Sequence, residues 1–479
     1  MQARFRYPWL PVFLADFAAT TLAYYLAWCL RFHSVFAHGM YDGINRLLGV
    51  DRLGSMGWEL ELFYLAGAPR IILLLTATLV VIYALRHLYA GRRLLQPRMV
   101  AWEVIGTNVT ALLLFYAYFY LRRNTFHPRS FFATLMILNT GFTILFRAGA
   151  DRWLAWLRTR GMDRIRAIVA GSGEWADRVT ALITAAPHHG IEVVGRIPAD
   201  VPGALPEAVR RTGAGMLLLV EPQLPVSGIM EWLDKTRDLD LETKVLSNAL
   251  NVVVDQAGIP SDRIRGIPFL HFDAPSRAAH GYWIKRGISL LLALALMLVM
   301  SPLLAVIALF IRLTSRGPAL YVQDRIGADG EFFRMYKFRT MVLGADEQQE
   351  AVEPLNDSVG GLFKIRRDPR VTPVGRLLRR FSLDELPQLI NVVRGEMALV
   401  GPRPLPRRDV ERFHEPWHYS RQEGLPGLTC LWQVSGRSEL GLHDMCVLDL
   451  YYLRNQSWIL DLQILLRTIG VVLFARGAY

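Results

Sequence analysis

Cysteine is scarce in this chain. Its 479 residues hold three, Cys29, Cys430 and Cys446, and no two of them have C-x-x-C spacing. An odd count without paired spacing argues against a disulfide scaffold and against a zinc site. A cleavable leader pattern is missing too: Arg4 and Arg6 precede a long apolar run with no small-residue cleavage site behind a short core. The first segment therefore reads as a retained anchor. Acid is outnumbered, with 42 Asp and Glu against 54 Lys and Arg and a formal net charge of +12. The bases, mostly arginine, flank apolar runs instead of forming lysine-rich tails. That placement points to an anionic lipid surface and away from nucleic acid.

Apolar residues are abundant. They make up 52% of the chain, and mean hydropathy is +0.24, on the side expected of a membrane protein. Four runs, at 9–31, 64–86, 102–121 and 130–148, have the roughly 20 residues that a bilayer crossing takes. Arginines cluster at 4–6, 86–98 and 147–166, more densely than around 31–60 and 122–129, although Arg122, Arg123 and Arg129 fall on the sparse side. The positive-inside rule then puts the N-terminus, the middle loop and everything after residue 150 in the cytoplasm. The expectation for residues 1–150 is a bundle of four transmembrane helices.

Residues 160–275 change to a soluble α/β pattern. RIRAIVA (164–170) reads as a buried strand, and GSGEWA follows with Gly171, Gly173 and Ala176 in G-x-G-x-x-A order. A helix to about 186 and strands IEVVGRI, GMLLLV and TKVL continue a Rossmann-like series. A dinucleotide site wants an acid at the end of the second strand. Arg196 stands there instead, with Asp200 only after a proline. The region from 165 to 270 also lacks a Tyr-x-x-x-Lys pair, against a membrane-anchored NAD-dependent nucleotide-sugar enzyme. The domain is expected to bind no cofactor.

A further apolar run, 288–311, is interrupted by Ser301 and Pro302 and flanked by Lys285 and Arg286 before it and Arg312 and Arg316 after it. Bases at both ends place both ends on one side. Proline removes an N–H and bends a helix, and a neighbouring serine can satisfy the freed carbonyl. The segment 284–312 is thus expected to be a re-entrant helix–break–helix that returns to the cytoplasmic face.

The remaining residues contain RRFSLDELPQL, with Asp384 beside Glu385 and arginines on the N-terminal side. Ser382 followed by Glu385 is a capping box ahead of an apolar run, which accounts for Glu385 alone. A phosphoryl-transfer site accounts for both acids. One carboxylate attacks phosphorus and the other holds a metal, while arginine forks such as Arg339, Arg403 and Arg437 neutralise a diphosphate.

The blocks KR (285–286), SP (301–302), GPALYVQDRIG, YKFRTM, SLDELPQL, LVGPRP, LWQVSGR and DLYYL together resemble the bacterial sugar transferases that load hexose-1-phosphate onto polyprenyl phosphate. The whole chain is similar to their undecaprenyl-phosphate galactose phosphotransferase type. The resemblance implies four N-terminal spans, a Rossmann-like middle domain and a catalytic domain over 280–479 that is mainly helical α+β. It implies Asp384 as the nucleophile that takes the sugar phosphate from a UDP-hexose and releases UMP, Glu385 as the Mg2+ ligand, and undecaprenyl phosphate as acceptor. Lys337, Arg339, Arg403, Arg437 and Asp449 fall in its motifs as substrate-binding candidates, and Ser301 and Pro302 match its helix break. A multi-pass protein of the bacterial inner membrane, with a cytoplasmic catalytic side and a homodimeric state, is implied as well. Ser289 stands where many relatives carry aspartate, Thr340 replaces a usual serine, and Cys430 replaces a frequent glycine. Galactose and glucose differ by one hydroxyl orientation, and no residue is tied to that choice. A non-catalytic polysaccharide scaffold is the competing reading of another class; it requires that Asp384→Asn leave function intact.

Overall fold

The computed structural model describes residues 9–33, 57–86, 88–89, 97–121, 129–247, 262–264, 267–273, 275–348, 352–355, 365, 368–435 and 441–473. The chain divides into two compact units, one built chiefly from Met1–Ile165 and the other chiefly from Arg166–Thr180, Val193–Ser261 and Gly266–Tyr479.

The first unit is made by the apolar runs. They form α1 (Leu10–Phe32), α2 (Gly57–Leu85), α3 (Pro97–Leu121) and α4 (Arg129–Thr159), and each contains a stretch long and apolar enough to cross a membrane. Helix α1 packs on α2 and α4, and α3 packs on the same two. Their core is aromatic: the Tyr64 and Phe131 rings lie 4.6 Å apart, and the Tyr24 hydroxyl donates to the Tyr64 carbonyl at 2.8 Å. Helix α4 runs past the expected end at 148 because its last turns are amphipathic, burying Leu154 and Leu157 while Trp153 and Trp156 stay exposed.

Polar residues stitch these helices together. Arg147, 1% exposed, donates from Nε and Nη2 to the two carboxylate oxygens of Asp16, each at 2.6 Å. Tyr89 donates to the same carboxylate at 2.6 Å, and the Arg147 guanidinium lies over the rings of Tyr83 and Tyr89. A second chain links Thr20 to Asn139, Asn139 to Asn108, and Tyr83 to Asn108. Away from water, each such group needs a partner within the protein.

After the helices comes a six-stranded sheet in the order β2-β1-β3-β4-β6-β5, formed by β1 (Ile165–Ala170), β2 (Ile191–Ile197), β3 (Met216–Val220), β4 (Glu242–Leu246), β5 (Asp262–Ile264) and β6 (Ile267–Phe272). Strands β1, β3 and β4 are parallel neighbours, and the expected strands fall within a residue or two of those observed. The sheet does not stop at β4, however, because β6 adds antiparallel to it. Helices α5 (Glu174–Thr184), α6 (Leu205–Thr212) and α7 (Val226–Arg237) connect the strands. The first turn of α5, where a Rossmann site receives phosphate, carries Glu174 and Asp177, and Arg196 is bonded to Asp177 at 2.6 Å.

Helix α8 (Pro275–Thr314) carries the SP pair in its interior. Pro302 has no N–H to give the Leu298 carbonyl four residues back. The Ser301 hydroxyl donates to that carbonyl instead, at 2.8 Å, and the helix continues through Pro302. The interruption read from sequence is thus a repaired proline site inside one helix. The C-terminal end of α8 packs on the region that follows it, where Ile307 and Ile311 join Phe338 and Leu378 in one apolar cluster.

Candidate active site

The site is assembled by three local structures. The first is the antiparallel hairpin of β7 (Leu320–Ile326) and β8 (Phe332–Phe338), which pairs Tyr321 with Lys337. The second is α9 (Pro373–Arg380), whose Thr372 cap accepts from the Gly375 N–H at 3.0 Å. The third is a pair of short parallel strands, β9 (Ala398–Val400) and β10 (Gly427–Thr429). Just past β9, Gly401 meets Gly427 so closely that a Cβ on Gly427 would lie 2.1 Å from the Gly401 nitrogen. Only glycine permits this approach, and it fixes the exit of the Pro402-Arg403 turn.

Between α9 and α10 (Leu389–Arg394) lies the acid pair. Residues Leu383–Gln388 form a 3-10 turn in place of the expected start of an α-helix. Ser382 has φ 54°, ψ 22° and makes no side-chain capping bond, so the capping box is not realised. A capping serine needs an extended backbone for its oxygen to reach the N–H groups ahead, and a left-handed one turns it away. In a 3-10 turn of three residues, neighbours point about 120° apart, which sends the two carboxylates to different partners.

Glu385 receives the cations. Arg403 donates to its Oε1 at 2.6 Å and reaches Oε2 at 3.5 Å, and the Lys337 ammonium donates to Oε1 at 3.4 Å. Asp384 accepts no side-chain hydrogen bond among the described residues and feels Lys337, Arg379 and Arg403 through space alone. Burial first, and then the Glu385 charge, raise its pKa above the ordinary carboxylate value. Burial lowers the Lys337 pKa to about 8, against the pull of Glu385. Burial also works against Arg403, but Glu385 outweighs it and the pKa of Arg403 rises.

The other sequence-named residues separate. Arg339 is turned to the end of α8, where its Nη2 donates to the Ser315 hydroxyl at 2.6 Å and to the Ser315 carbonyl at 3.1 Å. Asp449 is fully buried and pairs with Arg421 through bonds of 2.9 and 2.6 Å. Burial pushes Asp449 up to about 6. Arg437 lies outside the described residues. Cys430 is buried and donates to Gln433 at 3.1 Å.

Several residues that support the site were not legible. Arg421 donates to the Arg403 carbonyl at 2.8 Å, so the Asp449–Arg421 pair holds the backbone that carries the Glu385 partner. Asn391 accepts from the Tyr336 N–H and donates to the Arg334 carbonyl, clamping α10 to β8 next to Lys337. Arg379 donates to Thr340 at 2.9 Å and adds a third cation around Asp384. Arg421 and Asn391 form no motif with the acid pair, whereas Arg379 opens the RRFSLDELPQL block itself. Three cations around two carboxylates leave a net positive site, suited to a diphosphate ester.

Likeness to known proteins shows the family. A family model described as bacterial sugar transferase matches residues 280–475. Over 204 residues the chain is 39% identical to exopolysaccharide production protein ExoY of Rhizobium meliloti, covering 42% of this chain and 89% of that one. The chain belongs to the bacterial sugar transferase family. Within the family it is 37% identical over 264 residues to a UDP-galactose-lipid carrier transferase of Erwinia amylovora, covering 51% of this chain and 54% of that one. It is 32% identical over 338 residues to an undecaprenyl-phosphate glucose phosphotransferase of Komagataeibacter xylinus, covering 67% of this chain and 61% of that one. The match thus spans about half the length of the Erwinia protein. A second family model, described as CoA-binding domain, matches residues 84–216.

Proposed function

We propose that this protein transfers hexose-1-phosphate from a UDP-hexose to undecaprenyl phosphate at the bacterial cytoplasmic membrane, the first step of a surface polysaccharide. The observation that carries the reading is the unequal acid pair: Glu385 is held by Arg403 and Lys337, while Asp384 accepts no side-chain hydrogen bond from the described residues. A carboxylate without such a donor, surrounded by cations, is suited to act as a nucleophile.

In this reading an Asp384 oxygen attacks the sugar-bearing phosphorus of the UDP-hexose. The bond from that phosphorus to the bridging oxygen breaks, and UMP leaves with the electron pair. A phosphate oxygen of undecaprenyl phosphate then attacks the same phosphorus, and the Asp384 carboxylate departs to regenerate the enzyme. Arg403, Lys337 and Arg379 orient the diphosphate and answer its charge. Two adjacent carboxylates, with no cluster of three His, Cys, Asp or Glu among the described residues, suit magnesium, which takes one or two carboxylates and leaves other positions to water and phosphate. Glu385 is the residue that would hold Mg2+, which when bound supplies further neutralising charge to the diphosphate.

The membrane part follows the same logic. Helix α8 carries bases at both ends, Lys285 and Arg286 before its apolar stretch and Arg312 within its last turn. A re-entrant course would keep the site on the cytoplasmic leaflet, where a soluble nucleotide sugar meets a lipid phosphate. Galactose is the favoured hexose, from the likeness to the galactose-type relatives, and glucose is the alternative, carried by the name of the Komagataeibacter relative.

The test is UMP release by detergent-purified protein with magnesium and a panel of UDP-sugars, with and without undecaprenyl phosphate. One UDP-hexose is expected to yield a burst of UMP without the lipid, and Asp384→Asn to yield none. A strict requirement for both substrates before any UMP appears would sink the covalent route. No UMP from any UDP-sugar by folded protein would sink the transferase reading.

A further inference from the structure

The hairpin that supplies Lys337 carries a second cation, which the chemistry above leaves unused. Arg325 is the penultimate residue of β7. Side chains on a strand alternate between faces, and directly paired residues share one. Tyr321 pairs with Lys337, Gln323 with Met335 and Arg325 with Phe333, so Arg325 projects from the face that carries Lys337. It is the inner face of β7: Tyr321, Gln323 and Arg325 are half-buried, while Leu320, Val322 and Asp324 are exposed.

The register also sets the cations in a row. Arg325 stands opposite Phe333, and Lys337 follows about 13 Å further along β8 at some 3.3 Å per residue. Arg379 bonds Thr340, just past the end of that strand. Asp384, which feels Lys337, Arg379 and Arg403, belongs to the Arg379 end of the row. Arg325 belongs to the other end, where its Nη1 reaches the carbonyl of Pro404, the neighbour of Arg403, at 3.5 Å. Its bonds go to neutral oxygens: besides Pro404, Nη2 donates to the Gln323 side chain at 2.6 Å. Nε is buried and has no hydrogen-bond partner among the described residues. Among charged neighbours Arg403 acts on it most, ahead of Asp409 and Arg408. Asp409 acts only through space and lies 3.5 Å from Arg408. Burial and then Arg403 lower the Arg325 pKa to about 10, so it stays charged at neutral pH. A buried donor left unpaired costs free energy, and guanidinium groups set side by side favour an anion.

We propose that Arg325 binds the phosphate of UMP, both within the UDP-hexose and in the released product, a role that rests on the transferase reading above. In an in-line displacement the leaving oxygen lies opposite the nucleophile, and Arg325 stands at the end of the cation row away from Asp384. When the bond from the sugar-bearing phosphorus to the bridging oxygen breaks, that oxygen keeps the electron pair. Arg325 answers the new charge and gives up no proton.

The test reads binding and needs no turnover. Full-length protein in detergent is titrated with UMP and with uridine by isothermal titration calorimetry. Near-UV circular dichroism checks that each variant is folded. The wild type is expected to bind UMP more tightly than uridine, which lacks the phosphate. Arg325→Gln should weaken UMP about tenfold, the scale of one hydrogen bond to a charged group, and leave uridine unchanged. Nη1 and Nη2 already bond within the protein, so the contact with phosphate is one-pronged. Arg325→Lys should therefore bring UMP back to within about threefold of the wild type, a point charge sufficing there. UMP affinity unchanged in folded Arg325→Gln overturns the assignment, and so does a wild type that binds UMP and uridine alike. Arg325→Lys as weak as Arg325→Gln overturns it too, because the side chain then serves the Pro404 backbone. Asp384→Asn run alongside keeps the two readings apart: it should still bind UMP, while its release of UMP from a UDP-hexose tests the transfer chemistry alone.

Discussion

Each unit of this protein buries a carboxylate among cationic groups, and the two arrangements differ in what they leave unsatisfied. Among the N-terminal helices, Asp16 takes two bonds from Arg147 and one from Tyr89, at 2.6 Å each. In the C-terminal unit, Glu385 takes Arg403 and Lys337, but its neighbour Asp384 accepts no side-chain hydrogen bond from the described residues. A charge removed from water must be answered by the protein. Asp16 is answered completely and acts as a fastener between α1 and α4. Asp384 is answered only from a distance, and its raised pKa records that shortfall. A buried acid that is satisfied holds a fold, and one answered only at a distance is, in the proposed reaction, the group that attacks.

The contrast is broken most sharply by removing each acid's charge. Asp384→Asn should lower UMP release on the order of 10^4-fold or more, the scale of losing a nucleophile, with the thermal unfolding midpoint little changed. At Asp16 the outcome should reverse. Asp16→Asn leaves Arg147 buried without its counter-charge, and breaking one partner of such a pair costs about 3–5 kcal/mol. The N-terminal helices should unfold earlier in a detergent melt, while UMP release per folded molecule stays the same. Replacing both, as Asp16→Leu with Arg147→Met, should recover most of the loss, since apolar substitutes for a buried pair are often neutral. A double variant as unstable as the single one would mean that Tyr89 and the tyrosine rings, more than the ion pair, hold these helices.

The same contrast explains what the sequence made legible. The apolar runs set α1 to α4 because length and hydropathy alone decide a span, and alternation and glycine placement set the first four strands. The acid pair was legible because its two members are adjacent. The partners of Asp16 were not, since Arg147 lies 131 positions away, although two ionisable residues inside apolar runs were a signal that something must answer them. Arg421 and Asn391 carried no signal of any kind: each acts on a backbone group, and which one depends on the tertiary fold. The left-handed Ser382 was hidden by a local pattern that fits a capping box equally well, until the shape of the chain around α9 decides otherwise.

A smaller effect should come from changing the shape of a cation without its charge. Arg403→Lys keeps a positive group near Glu385 but loses the fork that reaches both oxygens at 2.6 and 3.5 Å. Lysine is a point charge and cannot replace a two-pronged donor. We expect UMP release to fall about 10- to 100-fold, about 1.4–2.7 kcal/mol of transition-state stabilisation, with stability nearly unchanged. If Arg403→Lys is as inactive as Arg403→Ala, the fork and not the charge is what the site uses.

The smallest effect is a shift in pH dependence, and it asks which group besides Asp384 the chemistry uses. In the proposed reaction Asp384 attacks in its ionised form, and its pKa lies above the ordinary carboxylate value, so activity should fall on the acid side as pH drops through that raised value. If Lys337 holds the diphosphate as proposed, it must be charged, and burial has lowered its pKa to about 8. Its proton leaves as pH rises, so activity should also fall above about pH 8, giving a bell. Lys337→Arg keeps the charge well past that point, because a guanidinium does not titrate in this range. The alkaline limb should move up or vanish while the acid limb stays in place. If the alkaline limb stays near 8 in Lys337→Arg, it belongs to another group, and the cation that matters in the transition state is Arg403 or Arg379.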